Sequence, residues 1–130
     1  MEDLRVLIID DSPRFLDSLE SMLNEVGVSK ITRCPTAQEA IDLLSGEAKI
    51  LSEVDLIICD QHMDKCTGID LLKIVRITKS KEALPFFLIT SDATRPNIIM
   101  LAQNGGNNFI AKPPQLEDLT SKIKETFQMS

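Results

Sequence analysis

Acidic side chains follow two segments that have the composition of buried strands. Asp10 and Asp11 come directly after the apolar segment Leu4–Ile9, and Asp60 interrupts the stretch Leu56–Met63 after four apolar residues. Carboxylates that lie close together repel each other unless a cation is present, and their hard oxygen atoms suit Mg²⁺. An aspartate can also act as a nucleophile and become an aspartyl phosphate. For Asp60 alone, a simple role in ending a strand and opening a turn is an equal alternative.

A hydroxyl group and an ammonium group follow two further apolar segments. Thr90 ends one of them, with Ser91 after it, and Lys112 follows Asn108–Ala111. Beside a metal ion, such groups neutralise the oxygens of a phosphoryl group during its transfer. Each has an ordinary structural interpretation when taken singly: a surface lysine, a β-forming residue at a strand end, or a charged turn before a helix for the aspartate pair. Together they indicate phosphoryl chemistry.

These side chains meet only if the segments are parallel strands of one sheet. Five strands are predicted from their apolar runs: Leu4–Ile9, Val28–Cys34, the stretch from Leu56 to Asp60, Pro85–Thr90 and Asn108–Ala111. Because helical patterns separate them, a parallel sheet with right-handed crossovers is expected, and the carboxyl ends of its strands point to one side. The continuous apolar run before Asp60 predicts a strand at or next to the centre, whereas the more polar Val28–Cys34 is predicted at an edge.

Capping residues and apolar periodicity predict the helices. Ser12 and Pro13 start the first helix and Gly27 stops it, while Thr36 and Glu39 form a capping-box pattern for the second. After an interruption at residue 46, residues 47–54 are predicted as a helical turn or a loop, and residues 64–68 as a loop. Further helices are predicted over residues 69–79, from about 96 to 104, and over the apolar positions from 116 to 127.

The composition is that of an ordinary globular domain and excludes several classes of protein. A chain of 130 residues, 43% hydrophobic and 26% charged, is one domain by size. Its net charge of −6 argues against nucleic-acid binding. Three cysteines and a single histidine offer neither a disulfide framework nor a metal spacing. The sequence contains no secretory signal or membrane-spanning run, so a reducing, cytoplasmic location without membrane insertion is expected.

The order of these residues resembles that of the receiver domains of two-component response regulators, over nearly the whole chain. The matching positions are an acidic pair, a later aspartate, a glycine eight residues after it, a hydroxyl, an aromatic residue and a Lys-Pro pair: Asp10, Asp11, Asp60, Gly68, Thr90, Phe109, Lys112 and Pro113. The resemblance implies an α/β, flavodoxin-like fold, a doubly wound sheet of five parallel strands in the order 2-1-3-4-5 with five helices. It also implies that a histidine kinase or histidine phosphotransfer protein transfers a phosphoryl group to Asp60.

The resemblance further implies a Mg²⁺ (or Mn²⁺) site and a role for each ligand. Asp11 and Asp60 would bind the ion through their side chains, His62 would offer its backbone carbonyl, and Asp10 would act largely through water. Lys112 would contact the phosphoryl oxygens. The protein would then catalyse its own phosphorylation and dephosphorylation without being an enzyme in the usual sense.

Two residues would couple phosphorylation to a change of surface. In the family pattern, Thr90 moves toward the new phosphate and Phe109 turns inward into the vacated space. The face formed by helix four, strand five and helix five would thereby change its affinity for a downstream protein. The Lys112–Pro113 peptide bond is cis in many relatives and is predicted to be cis here.

The chain departs from the family pattern next to the predicted phosphoacceptor. Asp64 stands where a proline is usual, and its charge is expected to alter the stiffness of the loop or the lifetime of the phosphate. Ser91 replaces a small apolar residue and adds a hydroxyl that competes with its threonine neighbour. Gln61, His62 and Asp92 also flank the site, where such neighbours tune the attack of water on the phosphate.

Other functions are less consistent with these residues. A phosphatase of the haloacid dehalogenase type needs a second acid two residues after its nucleophile, and that position holds His62. A flavodoxin needs a phosphate-binding loop after the first strand, which is missing. A receiver-like binding module that is never phosphorylated would lack an acid or the lysine. The sequence is therefore predicted to form one receiver domain over residues 1–130, without an output domain, that acts on other proteins.

Overall fold

The computed structural model describes residues 1–45 and 53–129. Its elements are β1 Arg5–Ile9, α1 Pro13–Val26, β2 Lys30–Cys34, α2 Ala37–Ser45, β3 Leu56–Asp60, α3 Gly68–Thr78, β4 Phe86–Thr90, α4 Arg95–Gln103, β5 Asn108–Ala111 and α5 Leu116–Thr126. The five strands form one parallel sheet in the order β2-β1-β3-β4-β5, which confirms the predicted fold and topology.

The sheet is covered by helices on both faces. One core cluster lies against α1 and α5 and includes Leu19, Ile58 and Ile123; the other lies against α2, α3 and α4 and includes Ile57 and Leu72. Every residue of β3 and β4 is buried, whereas β2 at the edge is largely exposed. The uninterrupted apolar runs of the inner strands follow from this two-sided burial.

The cysteines in the strands are core residues. Cys34 and Cys59 are buried, and both have free thiols. Burial raises the pKa of the Cys34 thiol to about 11 and holds that of Cys59 well above its ordinary value. Both thiols are therefore protonated at neutral pH and poor nucleophiles.

The helix ends agree with the sequence at α1 and differ at α3. The Ser12 Oγ accepts a hydrogen bond from the Phe15 N–H at 3.2 Å, and Gly27 ends α1 with a φ of 113°. Helix α3 begins at Gly68, one residue earlier than predicted, because Thr67 and Asp70 form a reciprocal capping box. That T-x-x-D pattern is visible in the sequence, but its position inside a predicted loop concealed it.

Several other boundaries shift by one or two residues. Strand β2 begins at Lys30 rather than residue 28, because its pairing with β1 starts at the Arg5–Lys30 pair. Of the capping box predicted for α2, the described contacts include only the bond from the Glu39 N–H to the Thr36 hydroxyl. The predicted interruption at residue 46, and residues 47–52 of the predicted turn or loop, lie outside the described residues. In the described part of the chain, no helix has the length and apolar content needed to cross a bilayer.

Candidate functional site

The register of the inner strands brings the predicted site residues to one edge of the sheet. Ile9 of β1 pairs with Cys59 of β3, so the next residues, Asp10 and Asp60, are neighbours. On the other side, β4 and β5 run together until the Lys112 N–H donates to the carbonyl of the residue that ends β4, at 2.9 Å. The carboxyl ends of four strands thus deliver polar groups to the same place.

Three carboxylates form the centre of this edge. Asp10, Asp11 and Asp60 each place an oxygen within 4.8 Å of the other two. Asp10 and Asp60 are only 1% and 5% exposed, whereas Asp11 is open to solvent. Oxygen donors of this kind and number fit a hard divalent cation such as Mg²⁺, which keeps several waters.

Lys112 neutralises part of this charge. Its Nζ lies 2.7 Å from Asp10 Oδ2 and 3.2 Å from Asp60 Oδ1. Burial lowers the pKa of the Lys112 ammonium, but the hydrogen bond to Asp10 and the charges of both carboxylates outweigh burial, and the net shift is upward. Burial and the charge of Asp10 raise the pKa of the Asp60 carboxyl, although Lys112 opposes them. One ammonium against three carboxylates leaves the edge negatively charged, which favours a cation.

The three carboxylates differ in how far their oxygens are already engaged. Asp10 Oδ1 accepts a hydrogen bond from the Ser12 N–H at 2.9 Å, while its other oxygen is held by Lys112. Asp11 is exposed beside them. Asp60 has one oxygen, Oδ1, within 3.2 Å of Lys112 Nζ, so Asp10 is the most engaged of the three carboxylates.

Thr90 and Ser91 point into different surroundings. Thr90 is 1% exposed, and its Oγ1 accepts a hydrogen bond from the Asp92 N–H at 3.0 Å. Ser91 is exposed. The backbone alternation at the end of β4 therefore separates the hydroxyls, and the buried one belongs to the predicted switch residue.

His62 and Asp92 lie across the mouth of the site from each other. The His62 side chain is 58% exposed, and its Nε2 lies 3.6 Å from Asp92 Oδ2. Asp92 also accepts hydrogen bonds from the side-chain amide of Asn97 in α4, at 2.9 and 3.2 Å. The pair thus links the loop after β3 to the first turns of α4.

Asp64 is exposed and lines a cavity of about 380 Å³ beside Asp11.

Phe109 is partly buried against the core cluster under α2, α3 and α4. Lys122 of α5 donates a hydrogen bond to its backbone carbonyl at 2.6 Å and lies over its ring, 4.9 Å from the centroid. Lys122 also forms an ion pair with Asp118 at 3.0 Å. Phe109 is therefore in contact with α5, on the predicted output face.

The Lys112–Pro113 bond that follows β5 is cis, as predicted.

Phe15 was not identified as a site residue from the sequence, and Gln61, which was predicted to flank the site, is engaged with α3. Gln61 is 6% exposed, and its Oε1 accepts from the Ile69 N–H at 3.0 Å, so it caps α3 rather than facing the site mouth. Phe15 places its ring over the Lys112 ammonium, with 4.1 Å between Nζ and the centroid.

Comparisons with known proteins agree with this geometry. The model of the response regulator receiver domain matches residues 6–124. The chemotaxis protein CheY of Pseudomonas aeruginosa is 29% identical over 125 residues, which cover 96% of this chain and 97% of that protein. The chemotaxis protein CheY-3 of Vibrio cholerae is 28% identical, with 98% of this chain and 94% of that protein covered.

Solved structures share the fold. A CheY-like response regulator receiver domain protein from Methanospirillum hungatei superposes with a TM-score of 0.81 at 26% identity, and the match covers 96% of this chain and 94% of that one. A receiver domain protein from Clostridium thermocellum gives a TM-score of 0.83 at 21% identity, over 96% and 94% of the two chains. The chain belongs to the family of response regulator receiver domains, the CheY-like signalling modules of two-component systems.

Proposed function

We propose that the protein is a phosphorylation-dependent switch whose phosphoacceptor is Asp60. The observation that carries the proposal is a buried carboxylate at the end of the central strand, within 3.2 Å of an ammonium group and beside two further carboxylates. In the transfer, an Asp60 oxygen attacks phosphorus and the new P–O bond forms. The P–N bond of a phosphohistidine breaks, and its electron pair leaves with the imidazole nitrogen.

The acidic residues would hold the required metal ion, Mg²⁺ or Mn²⁺. Asp11 and Asp60 would bind it directly, Asp10 through water, and His62 through its backbone carbonyl. When bound, the ion supplies positive charge to the oxygens of the transferring phosphoryl group. The exposure of Asp11 and the engagement of both Asp10 oxygens support this division of roles.

Lys112 would stabilise the phosphoryl group once Asp60 has reacted. Before transfer, its ammonium is shared between Asp10 and Asp60. Phosphorylation of Asp60 moves negative charge outward to the phosphoryl oxygens, and the ammonium remains within reach because Asp10 still anchors it. An exposed lysine without such an anchor would lose more side-chain entropy on binding the phosphoryl group.

The output would be a change in the face formed by α4, β5 and α5. Thr90 would release the Asp92 N–H and turn toward the phosphoryl group, and Phe109 would turn inward. Exposed apolar side chains on this face support a protein-binding role: Ile99, Met100 and Leu116. The phosphate therefore biases a surface that is suited to a protein target.

The partners would be a histidine kinase or histidine phosphotransfer protein upstream and a protein target downstream, with no nucleic acid and no membrane insertion. The relatives named above are chemotaxis proteins, and we propose that this chain likewise acts through protein contacts rather than through turnover of a substrate. A cytoplasmic location remains the accompanying prediction.

Labelling with a small phosphodonor tests the proposal. Incubation with acetyl phosphate and Mg²⁺ should add one phosphoryl group by intact-mass analysis, and Asp60→Asn should abolish it. Asp64→Asn is the matched control, because it removes an exposed carboxylate from the same loop and should retain labelling while changing the lifetime of the adduct. An adduct that persists in Asp60→Asn, or none in the wild type, would overturn the proposed acceptor.

A further inference from the structure

The geometry points to Phe15 as a positioning residue for phosphoryl transfer: we propose that the face of its ring holds the Lys112 ammonium in place through a cation–π interaction. This inference rests on the proposed function and concerns the lysine of the same site. Lys112 Nζ lies 4.1 Å from the centroid of the Phe15 ring, well inside the range of such contacts.

The ring and one carboxylate come from the same short segment. Asp10 Oδ1 accepts from the Ser12 N–H, and the Ser12 hydroxyl accepts from the Phe15 N–H at the start of α1. The two groups that surround the ammonium are thus joined by consecutive hydrogen bonds within one loop. Phe15 also packs against the core cluster under α1 and α5, which fixes the plane of its ring.

The ring supplies an attraction that a further carboxylate could not supply without cost. Lys112 is 21% exposed at its side chain, so the ammonium is largely removed from water and needs compensation. Another carboxylate near Asp10 and Asp60 would compete for the metal ion and repel the incoming phosphoryl oxygens. The negative face of an aromatic ring attracts the cation but is a poor ligand for a hard divalent ion.

The ring matters most after the reaction. Formation of the aspartyl phosphate removes the carboxylate charge of Asp60, which leaves the ammonium with Asp10, the ring and the phosphoryl oxygens. Without the ring, Lys112 gains freedom to swing into solvent. Phe15→Leu is therefore expected to slow labelling by acetyl phosphate about three- to tenfold and to weaken beryllofluoride binding to a similar degree. Its affinity for Mg²⁺ alone, measured by calorimetry, should stay unchanged.

A graded series separates the electrostatic effect from packing. Replacement of Phe15 by its mono-, di- and trifluorinated analogues weakens the negative face of the ring stepwise with little change in shape. The labelling rate should fall stepwise along this series, and Phe15→Tyr, which keeps the face, should stay within about twofold of the wild type. The same analogues at Phe127, which packs against the same core cluster, provide the matched control and should leave the rate constant.

A second measurement reports the contact without any phosphorylation. The ε-methylene protons of Lys112 should show an upfield ring-current shift by NMR in the apo protein, and Phe15→Leu should remove it. Absence of that shift, or a labelling rate that is flat along the fluorinated series, would overturn the inference. A wild-type protein that cannot be labelled with Mg²⁺ would instead show that the proposed function itself is wrong, so the two failures are distinguishable.

Discussion

Gly68 lies directly against the backbone carbonyl of Asp60. A Cβ placed on Gly68 would be 2.5 Å from that oxygen and 2.6 Å from Leu88 Cδ1. The first residue of α3 must therefore be a glycine if the end of β3 is to keep its position. This contact explains in physical terms why a glycine eight residues after the aspartate belongs to the motif.

Gly68→Ala should consequently damage both stability and the metal site. The clash involves backbone that cannot rotate away, so we expect a loss of about 1–3 kcal/mol in the free energy of unfolding, measured by urea denaturation. Mg²⁺ affinity should fall as well, because the strand end that carries Asp60 must shift. Gly105→Ala is the control. The φ of 83° at Gly105 makes an alanine there destabilising too, but Gly105 follows the carboxyl end of α4, which is the end away from the site. This variant should leave Mg²⁺ affinity intact. Equal Mg²⁺ affinities in both variants would contradict the explanation.

Asp60→Asn should stabilise the protein in the absence of metal. Burial and the charge of Asp10 raise the pKa of the Asp60 carboxyl in the folded state. A raised carboxyl pKa destabilises the fold at pH values above it and ceases to do so as the pH falls through it. We expect a gain of about 1 kcal/mol at pH 7 that shrinks toward acidic pH.

Saturating Mg²⁺ should reverse this order, since the ion binds the wild-type carboxylates and stabilises the folded state by mass action. Parallel thermal denaturation of the wild type and Asp60→Asn, with Mg²⁺ or with a chelator, measures both effects. A variant that is less stable than the wild type in the chelator would contradict the proposed repulsion.

Arg76 is partly exposed, yet its hydrogen bonds are expected to contribute strongly to the free energy of unfolding. Its guanidinium donates to the carbonyls of Gly105 and Leu84 at 2.9 and 2.8 Å, and to the side chain of Asn107 at 3.1 Å. It thereby joins α3 to the segment before β4 and to the turn between α4 and β5. Arg76→Met removes all three bonds; the Asn107 side chain keeps its bond from the Phe86 N–H, but the two carbonyls lose their guanidinium donor, and the change should cost about 2–4 kcal/mol in urea denaturation. Arg95→Met, at an exposed position, should change stability by less than about 0.5 kcal/mol.

The pair Arg5–Asp55 should give a pH-dependent contribution to stability. The hydrogen bond from Arg5 lowers the pKa of the Asp55 carboxyl in the folded state. The resulting stabilisation is present above the unfolded-state pKa of about 3.9 and is lost as the pH falls through the lower folded value. Because both side chains are partly exposed, Asp55→Asn should cost no more than about 1 kcal/mol at pH 7.

The comparison is Asp3→Asn, whose side chain is fully exposed in its pair with Lys30. It should leave the free energy of unfolding unchanged across the same pH range. If Asp3→Asn and Asp55→Asn lost equal free energy of unfolding, the net charge of the protein, rather than the contact between Asp55 and Arg5, would determine the loss.

Local sequence was sufficient for the five strands and for their carboxyl ends, although not for every first residue. The apolar runs before Asp10 and Asp60 have no polar interruption, and burial on both faces is the simplest cause of such a run. Residues that act across the fold were not predictable in this way. Phe15 has the same apolar spacing whether it packs in the core or covers a lysine, and the partners of Arg76 lie far along the chain. Their roles depend on tertiary positions that no local pattern encodes.

The hydrogen bond between Lys112 and Asp10 joins residues separated by 102 positions in the chain. A polypeptide still being synthesised carries Asp60 long before it carries β5, so it has the proposed acceptor without the neighbouring ammonium group. The same holds for a molecule in which β5 has locally detached from the sheet. Under the proposed function, the complete acceptor site therefore forms only after β5 has joined the sheet, and incomplete or locally opened molecules lack the ammonium group that would receive the phosphoryl oxygens.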